Sequence, residues 1–105
     1  MELKELQKQV YQNKVEKGFN VTDIPMEFCL THGELTEAFD AWRKKYGSVG
    51  EELADAAIYL LGISEILGID LEQEILRKIA INRERVYVEK NGVKIKARQE
   101  KQPVE

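Results

Sequence analysis

The sequence predicts an all-α fold of four helices with a short C-terminal hairpin or arm. Three observations carry this: apolar residues recur at helical spacing in four stretches, Gly, Ser and Asp punctuate the joints, and a good hairpin turn, Asn91-Gly92, comes only after the fourth stretch. A chain of 105 residues can build one hydrophobic core and is too short for two. Residues 1–97 are therefore assigned to a single helical domain and 98–105, "RQEKQPVE", to a polar tail.

The first helix is expected over 2–17, where Leu3, Leu6, Val10 and Val15 recur near helical spacing before Gly18 as a stop. The stretch "GFNVTDIP" then reads as a loop, because Gly18, Asn20, Thr22, Asp23 and Pro25 break both helical and strand patterns. The second helix is expected over 26–45 with Phe28, Leu35, Phe39 and Trp42 along one side, ending near "KKYGS", where Gly47 can take a positive φ. Ser48 is the expected cap of the third, with Glu51 at the third position of a capping box. Gly68 ends it, and "DLEQEILRKIAINRERVY" supplies the fourth, with Leu71, Ile75, Ile79 and Val86 on one stripe.

Composition removes several function classes. With 16 Lys+Arg against 19 Asp+Glu the net charge is −3, so no broad basic field exists to hold a nucleic-acid backbone. No helix joins a strongly basic face to a large apolar one, which argues against a membrane-surface role. The single cysteine, Cys29, excludes an internal disulfide framework and a cysteine-based zinc site, and is read as a small buried or interfacial residue. The start "MELKELQKQV" lacks an apolar signal core, and a cytoplasmic location is expected.

The chemistry-bearing pattern is a pair of acidic spacings. In "HGELTEAFDAW" Glu34 and Glu37 point within about 60° of each other on a helix turning about 100° per residue. In the third helix Glu52 and Asp55 repeat the spacing, and Tyr59 stands one turn further along that face. Asp55 is the sole charged residue between Leu53 and Ser64, a stretch with no polar face, so the helix is expected to be covered by its own bundle or by another subunit, with Asp55 buried there. A buried carboxylate needs a cation, a metal or an altered pKa. Two antiparallel helices would let the four oxygen donors converge on Mg2+ or Mn2+. The alternative is that Glu34 and Glu37 pair with surface lysines while Asp55 meets an arginine inside the bundle.

Lys78, Asn82 and Arg85 share a narrow sector of the fourth helix and could donate to phosphate oxygens; the alternative is long cations snorkelling past a core. Trp42 reads as core or subunit interface, although it, like Phe19 in the loop, could stack on a base. A lone histidine such as His32 is more often packed or hydrogen-bonded than a ligand. The absence of Glu-x-x-His pairs removes a di-iron bundle.

The stretch "GELTEAFDAW…EELADAAIYLLGISEILGIDLEQEILRKIAINRERVY", with its E-x-x-E, E-x-x-D, "LGIDL" turn and K-x-x-x-N segment, resembles the MazG-like family of the all-α NTP pyrophosphohydrolase superfamily over residues 26–87. The resemblance implies a four-helix bundle assembling as a homodimer or homotetramer, and Mg2+-dependent hydrolysis of a nucleoside triphosphate to the monophosphate and pyrophosphate. It implies metal binding by Glu34, Glu37, Glu52 and Asp55 and phosphate contacts from Lys78 and Asn82, with Arg85 and Tyr59 added from helical proximity. Glu37 is the expected general base. Many relatives carry a further glutamate where this chain has Gly33. Superfamily members acting on dUTP or phosphoribosyl-ATP would use nearly the same acidic frame, and a non-catalytic dimerisation or regulatory module would keep the fold alone.

Overall fold

The computed structural model describes residues 2–97, so the tail assigned to 98–105 lies outside the described residues. The elements are α1 (Leu3–Lys17), α2 (Ile24–Arg43), α3 (Val49–Ile66), α4 (Leu71–Glu84), β1 (Tyr87–Lys90) and β2 (Val93–Lys96). The four helices and the hairpin form in the predicted order, but α4 stops at Glu84, so Val86 and Tyr87, expected in that helix, lie beyond it and Tyr87 opens β1. None of the described helices is long and apolar enough to cross a membrane.

Two compact units divide the chain between Glu72 and Gln73. In the first, α3 packs against both α1 and α2. α1 runs antiparallel to α3: Gln7 meets Glu65 while Lys14, one heptad later, lies against Gly62. The start of α1 is bolted to the end of α3 by a buried Gln7. Its amide donates to Glu65 Oε1 at 2.9 Å and to the Ile69 carbonyl, and its oxygen accepts from the Leu71 N–H at 3.2 Å. Each of these groups would otherwise be an unpaired polar atom in a partly buried joint.

Local chemistry explains the boundaries. Gly18 and Gly68 adopt φ of 71° and 69°, the left-handed conformation that stops a helix most cheaply in glycine. α2 begins earlier than expected. Asp23 Oδ1 accepts from the Met26 N–H at 3.0 Å as an N-cap, and Pro25 fits the first turn, where its missing N–H is not required. At the other end of α2, Lys45 rather than Gly47 takes the positive φ of 60°, and the Tyr46 N–H reaches back to the Ala41 carbonyl at 2.8 Å. Ser48 precedes α3 without a capping hydrogen bond from its side chain, so the expected capping box does not form.

The single chain covers one face of α2 and leaves the other outward, so of the two settings expected for Trp42 the core is not found. Glu27, Ala38 and Ala41 are buried on it, whereas Phe28, Leu35, Phe39 and Trp42 are exposed in the single chain, Trp42 at 67%. α3 behaves similarly: Ala56, Leu61 and Ile63 are buried while Leu53, Ile58 and Leu60 are not. The helical wheel correctly groups these residues, but small residues let α2 and α3 approach closely and the bulky stripe is left outward. Cys29 is exposed rather than buried.

In the second unit, β1 and β2 pair antiparallel, with Tyr87 opposite Lys96 and Lys90 opposite Val93. Asn91 and Gly92, at φ 53° and 78°, supply the two positive-φ positions of the tight turn.

Candidate functional site

The acidic residues converge from two helices of the first unit. Glu34 and Glu37, three residues apart on α2, and Glu52, in the first turn of α3, each offer a carboxylate oxygen within 4.8 Å of the others. Glu34 and Glu52 are half-buried and Glu37 is exposed. Asp55 is exposed too in the single chain, so the chain's own bundle does not bury it, and the expected cover would have to come from another subunit. It nevertheless stands close enough to act on the cluster electrostatically.

Partial burial and then crowding of like charge push two carboxyls of the site upward. Glu34 is raised above the ordinary carboxylate value by partial burial first, then by the charges of Glu37 and Asp55, a hydrogen bond with Glu37, and Glu52. Glu52 is raised by partial burial first, then by the charges of Glu37 and Asp55, a hydrogen bond with Glu37, and Glu51. Glu37 is thus the shared neighbour between the helices. A compensating positive charge or a shared proton relieves the repulsion that raises Glu34 and Glu52. Glu34 Oε2 is a buried oxygen without a hydrogen-bond partner. Three converging carboxylates form a hard, all-oxygen donor set, whose chemistry suits Mg2+ or Mn2+ rather than a soft metal.

Tyr59 is half-buried on α3 one turn beyond Asp55, and its hydroxyl is raised above the usual value by burial and then by Glu34, Glu27, Asp55 and Glu37. The phenol therefore lies in the field of the cluster. It also adjoins a second polar centre that the sequence reading missed. Lys14 of α1 forms an ion pair with Glu27 of α2, both buried, and the same ammonium lies 5.3 Å from the centre of the Tyr59 ring. Asn20 donates to the other Glu27 oxygen, Oε2, at 3.1 Å. The signal for this centre was Gly62, a glycine inside an apolar helix. A Cβ there would sit 3.3 Å from Lys14 Cδ, so the missing side chain makes room for the lysine stem.

The remaining expected residues fall in three places. Phe19 lines cavities together with Tyr59 and Lys14, so it joins the Tyr59 side of the site. Trp42 lines a different depression with Arg43 and Tyr46 and packs on Phe39, ring centroids 6.1 Å apart, as part of the outward stripe. Lys78 and Asn82 lie on α4 and Arg85 just after it, in the second compact unit, while the carboxylates belong to the first. His32 is exposed and takes no place among the converging carboxylates.

Comparisons with family models, with curated proteins and with solved structures returned no match to this chain.

Proposed function

We propose that the chain is a Mg2+-dependent nucleoside triphosphate pyrophosphohydrolase of the MazG-like type, with Mn2+ as a possible substitute. The observation that carries this reading is the convergence of Glu34, Glu37 and Glu52 from two helices, with Asp55 beside them, around a buried Glu34 oxygen that lacks a partner. Glu34, Glu52 and Asp55 would hold the metal together with Glu37. A bound divalent ion would supply neutralisation of the triphosphate charge and polarisation of the phosphoryl group.

The residues of the chain do the rest. Glu37 is assigned to accept a proton from water on a carboxylate oxygen; its exposure and its nearness to both other glutamates support this. The water oxygen bonds to phosphorus, the anhydride bond between the α- and β-phosphates breaks, and the products are a nucleoside monophosphate and pyrophosphate. Lys78, Asn82 and Arg85 are assigned to the phosphates by the sequence resemblance, Arg85 from just past the end of α4, as donors that do not compete for the cation. Relatives acting on dUTP or phosphoribosyl-ATP use a similar frame, and a nucleotide screen separates them.

The experiment is pyrophosphate release from a panel of canonical and modified triphosphates with Mg2+ or Mn2+. At least one is turned over, and Glu52→Gln or Asp55→Asn lowers the rate by at least about 100-fold, as expected when a group stabilising charge in the transition state is removed. A panel with no turnover under either metal sinks the enzyme reading. A cytoplasmic location is part of the same proposal.

The outward stripe of Phe28, Leu35, Phe39 and Trp42 supports assembly with further copies, because apolar surface of this kind is costly to leave in water. The expected state is a homodimer or homotetramer. Light scattering on the wild type and on Phe39→Lys/Trp42→Lys checks it: the wild type exceeds the monomer mass and the variant falls to it. A stable monomer at micromolar concentration contradicts the assembly.

A further inference from the structure

A cavity of about 260 Å3 lies between the 18–23 loop, the first turns of α2, and α3, and its walls include Lys14, Phe19, Asn20, Glu27, Leu30 and Tyr59. A second cavity of about 400 Å3 on the α1 side shares Lys14, Phe19 and Tyr59 with it. The walls are aromatic and aliphatic apart from Lys14, Asn20 and Glu27, with Gln9 and Asn13 lining the second cavity as well. Both Glu27 oxygens are engaged, one by Lys14 and one by Asn20. Lys14 carries three N–H donors and no acceptor, and the Glu27 carboxylate and the Tyr59 face do not exhaust them. The space thus offers flat apolar surface and a cationic donor, but not a bare anion. It suits a planar ring that presents a carbonyl oxygen.

Its position fits one end of an extended phosphorylated ligand. Glu27, on the cavity wall, precedes Glu34 by seven residues of the same helix, about 10 Å along the axis at 1.5 Å per residue. Tyr59, also on the cavity wall, is one turn from Asp55. Both elements therefore lead from the cavity to the carboxylates.

We propose that this cavity seats the nucleobase, and that the buried Lys14 selects bases with a carbonyl at position 4 of a pyrimidine or position 6 of a purine over those with an amino group there. An amino group would meet the ammonium donor against donor. Phe19, 56% exposed at the cavity, supplies a face for the ring to stack on. The proposal rests on the pyrophosphohydrolase reading for the placement of the phosphates, but not for the existence of the base site.

Two matched pairs test it: UTP against CTP and ITP against ATP in steady-state turnover with Mg2+, and UMP against CMP and IMP against AMP in calorimetric binding without turnover. The carbonyl member of each pair is favoured by about tenfold or more, since a site that hydrogen-bonds a substrate group rejects the analogue lacking it. Phe19→Ala raises KM and weakens monophosphate binding by about tenfold without changing the thermal midpoint. The double variant Lys14→Met/Glu27→Leu, which removes both charges so that neither is left buried alone, loses the preference. If that variant fails to fold, the pairs and Phe19→Ala decide the matter. Turnover with equal use of both members of each pair, or with KM unmoved by Phe19→Ala, overturns the base site and leaves the enzyme reading standing. Carbonyl-selective, Phe19-dependent binding of monophosphates without turnover of any triphosphate supports the base site and overturns the enzyme reading. Neither turnover nor binding overturns both.

Discussion

Glu27 and Glu34 occupy the same edge of α2, two turns apart, and their surroundings are opposite in kind. Glu27 is 1% exposed and has a cation supplied by the chain itself, Lys14, together with the Asn20 amide. Glu34 is half-buried, and the charged neighbours that act on it are Glu37, Asp55 and Glu52. A buried carboxylate with its own cation is part of the structure. One surrounded by carboxylates needs a proton or a cation from outside. The comparison therefore separates the fold's electrostatics from the site's along a single helix.

The largest expected effect comes from breaking the internal pair. Glu27→Ala leaves the Lys14 ammonium buried without its carboxylate, and removing one partner of a buried ion pair costs about 3–5 kcal/mol. Denaturant unfolding of the wild type and variant measures it. Lys14 and Glu27 join α1 to α2 beneath Tyr59, so a loss of less than about 1 kcal/mol would place the pair with ordinary surface ion pairs and erase the distinction drawn here.

The two residues were not equally legible in the sequence. Glu34 announced itself through Glu37 at E-x-x-E spacing and through a matching pair on another helix, a pattern that survives without knowing how the helices dock. Glu27 looked like one more first-turn acid, and Lys14 like one more lysine of a charged helix. Their pairing depends on α1 and α2 both packing on α3, which local spacing does not encode. The same reason explains the misjudged faces. Periodicity shows which residues share a side, but not which side turns inward. Phe39 and Trp42 share a stripe as expected, yet Ala38 and Ala41 take the covered position, and Asp55 is exposed because the surface around it is not closed by this chain alone. Helix ends were legible wherever glycine or a turn dipeptide fixed them, as at Gly18, Gly68 and Asn91-Gly92. Ser48 was misleading because its side chain makes no capping bond.

The next effect in size sharpens the Glu34 side. Mg2+ binding to the folded state alone would raise stability by about 2.7 kcal/mol at 100 times its dissociation constant. Thermal unfolding at neutral pH, with and without Mg2+, should show that gain in the wild type and little of it in Glu34→Gln/Glu52→Gln. The pH dependence has a fixed sign. Both carboxyls are raised in the folded state, so their contribution to stability is fully present below the unfolded value of 4.5 and is lost as pH rises through the raised values. The wild type without metal should therefore lose stability relative to the double variant as pH rises from 4.5 to neutrality. Mg2+ should reverse the loss at neutral pH and have little effect near 4.5, where protons occupy the oxygens. An equal Mg2+ response in both proteins would show that the ion acts elsewhere.

The smallest effect belongs to a third carboxylate of the same helix. Asp40 accepts from Arg43 Nη2 at 3.1 Å, with both side chains open to water, 41% and 55% exposed. Water solvates each ion almost as well as the partner does, and holding two side chains in one geometry costs entropy, so Asp40→Asn should change stability by no more than about 0.5 kcal/mol. It should also leave the Mg2+ response intact, because Asp40 is not among the carboxylates that converge. Asp40 isolates what matters in the comparison. Distance from a cation alone does not decide a carboxylate's role on α2: Asp40 and Glu27 both have basic partners, and only the exclusion of water makes the second pair strong. Glu34 is half-buried where Glu27 is fully buried, and it lacks the internal cation. If Asp40→Asn matched Glu27→Ala in cost, burial would not be the governing variable, and the argument that Glu34 calls for an external cation would lose its physical basis.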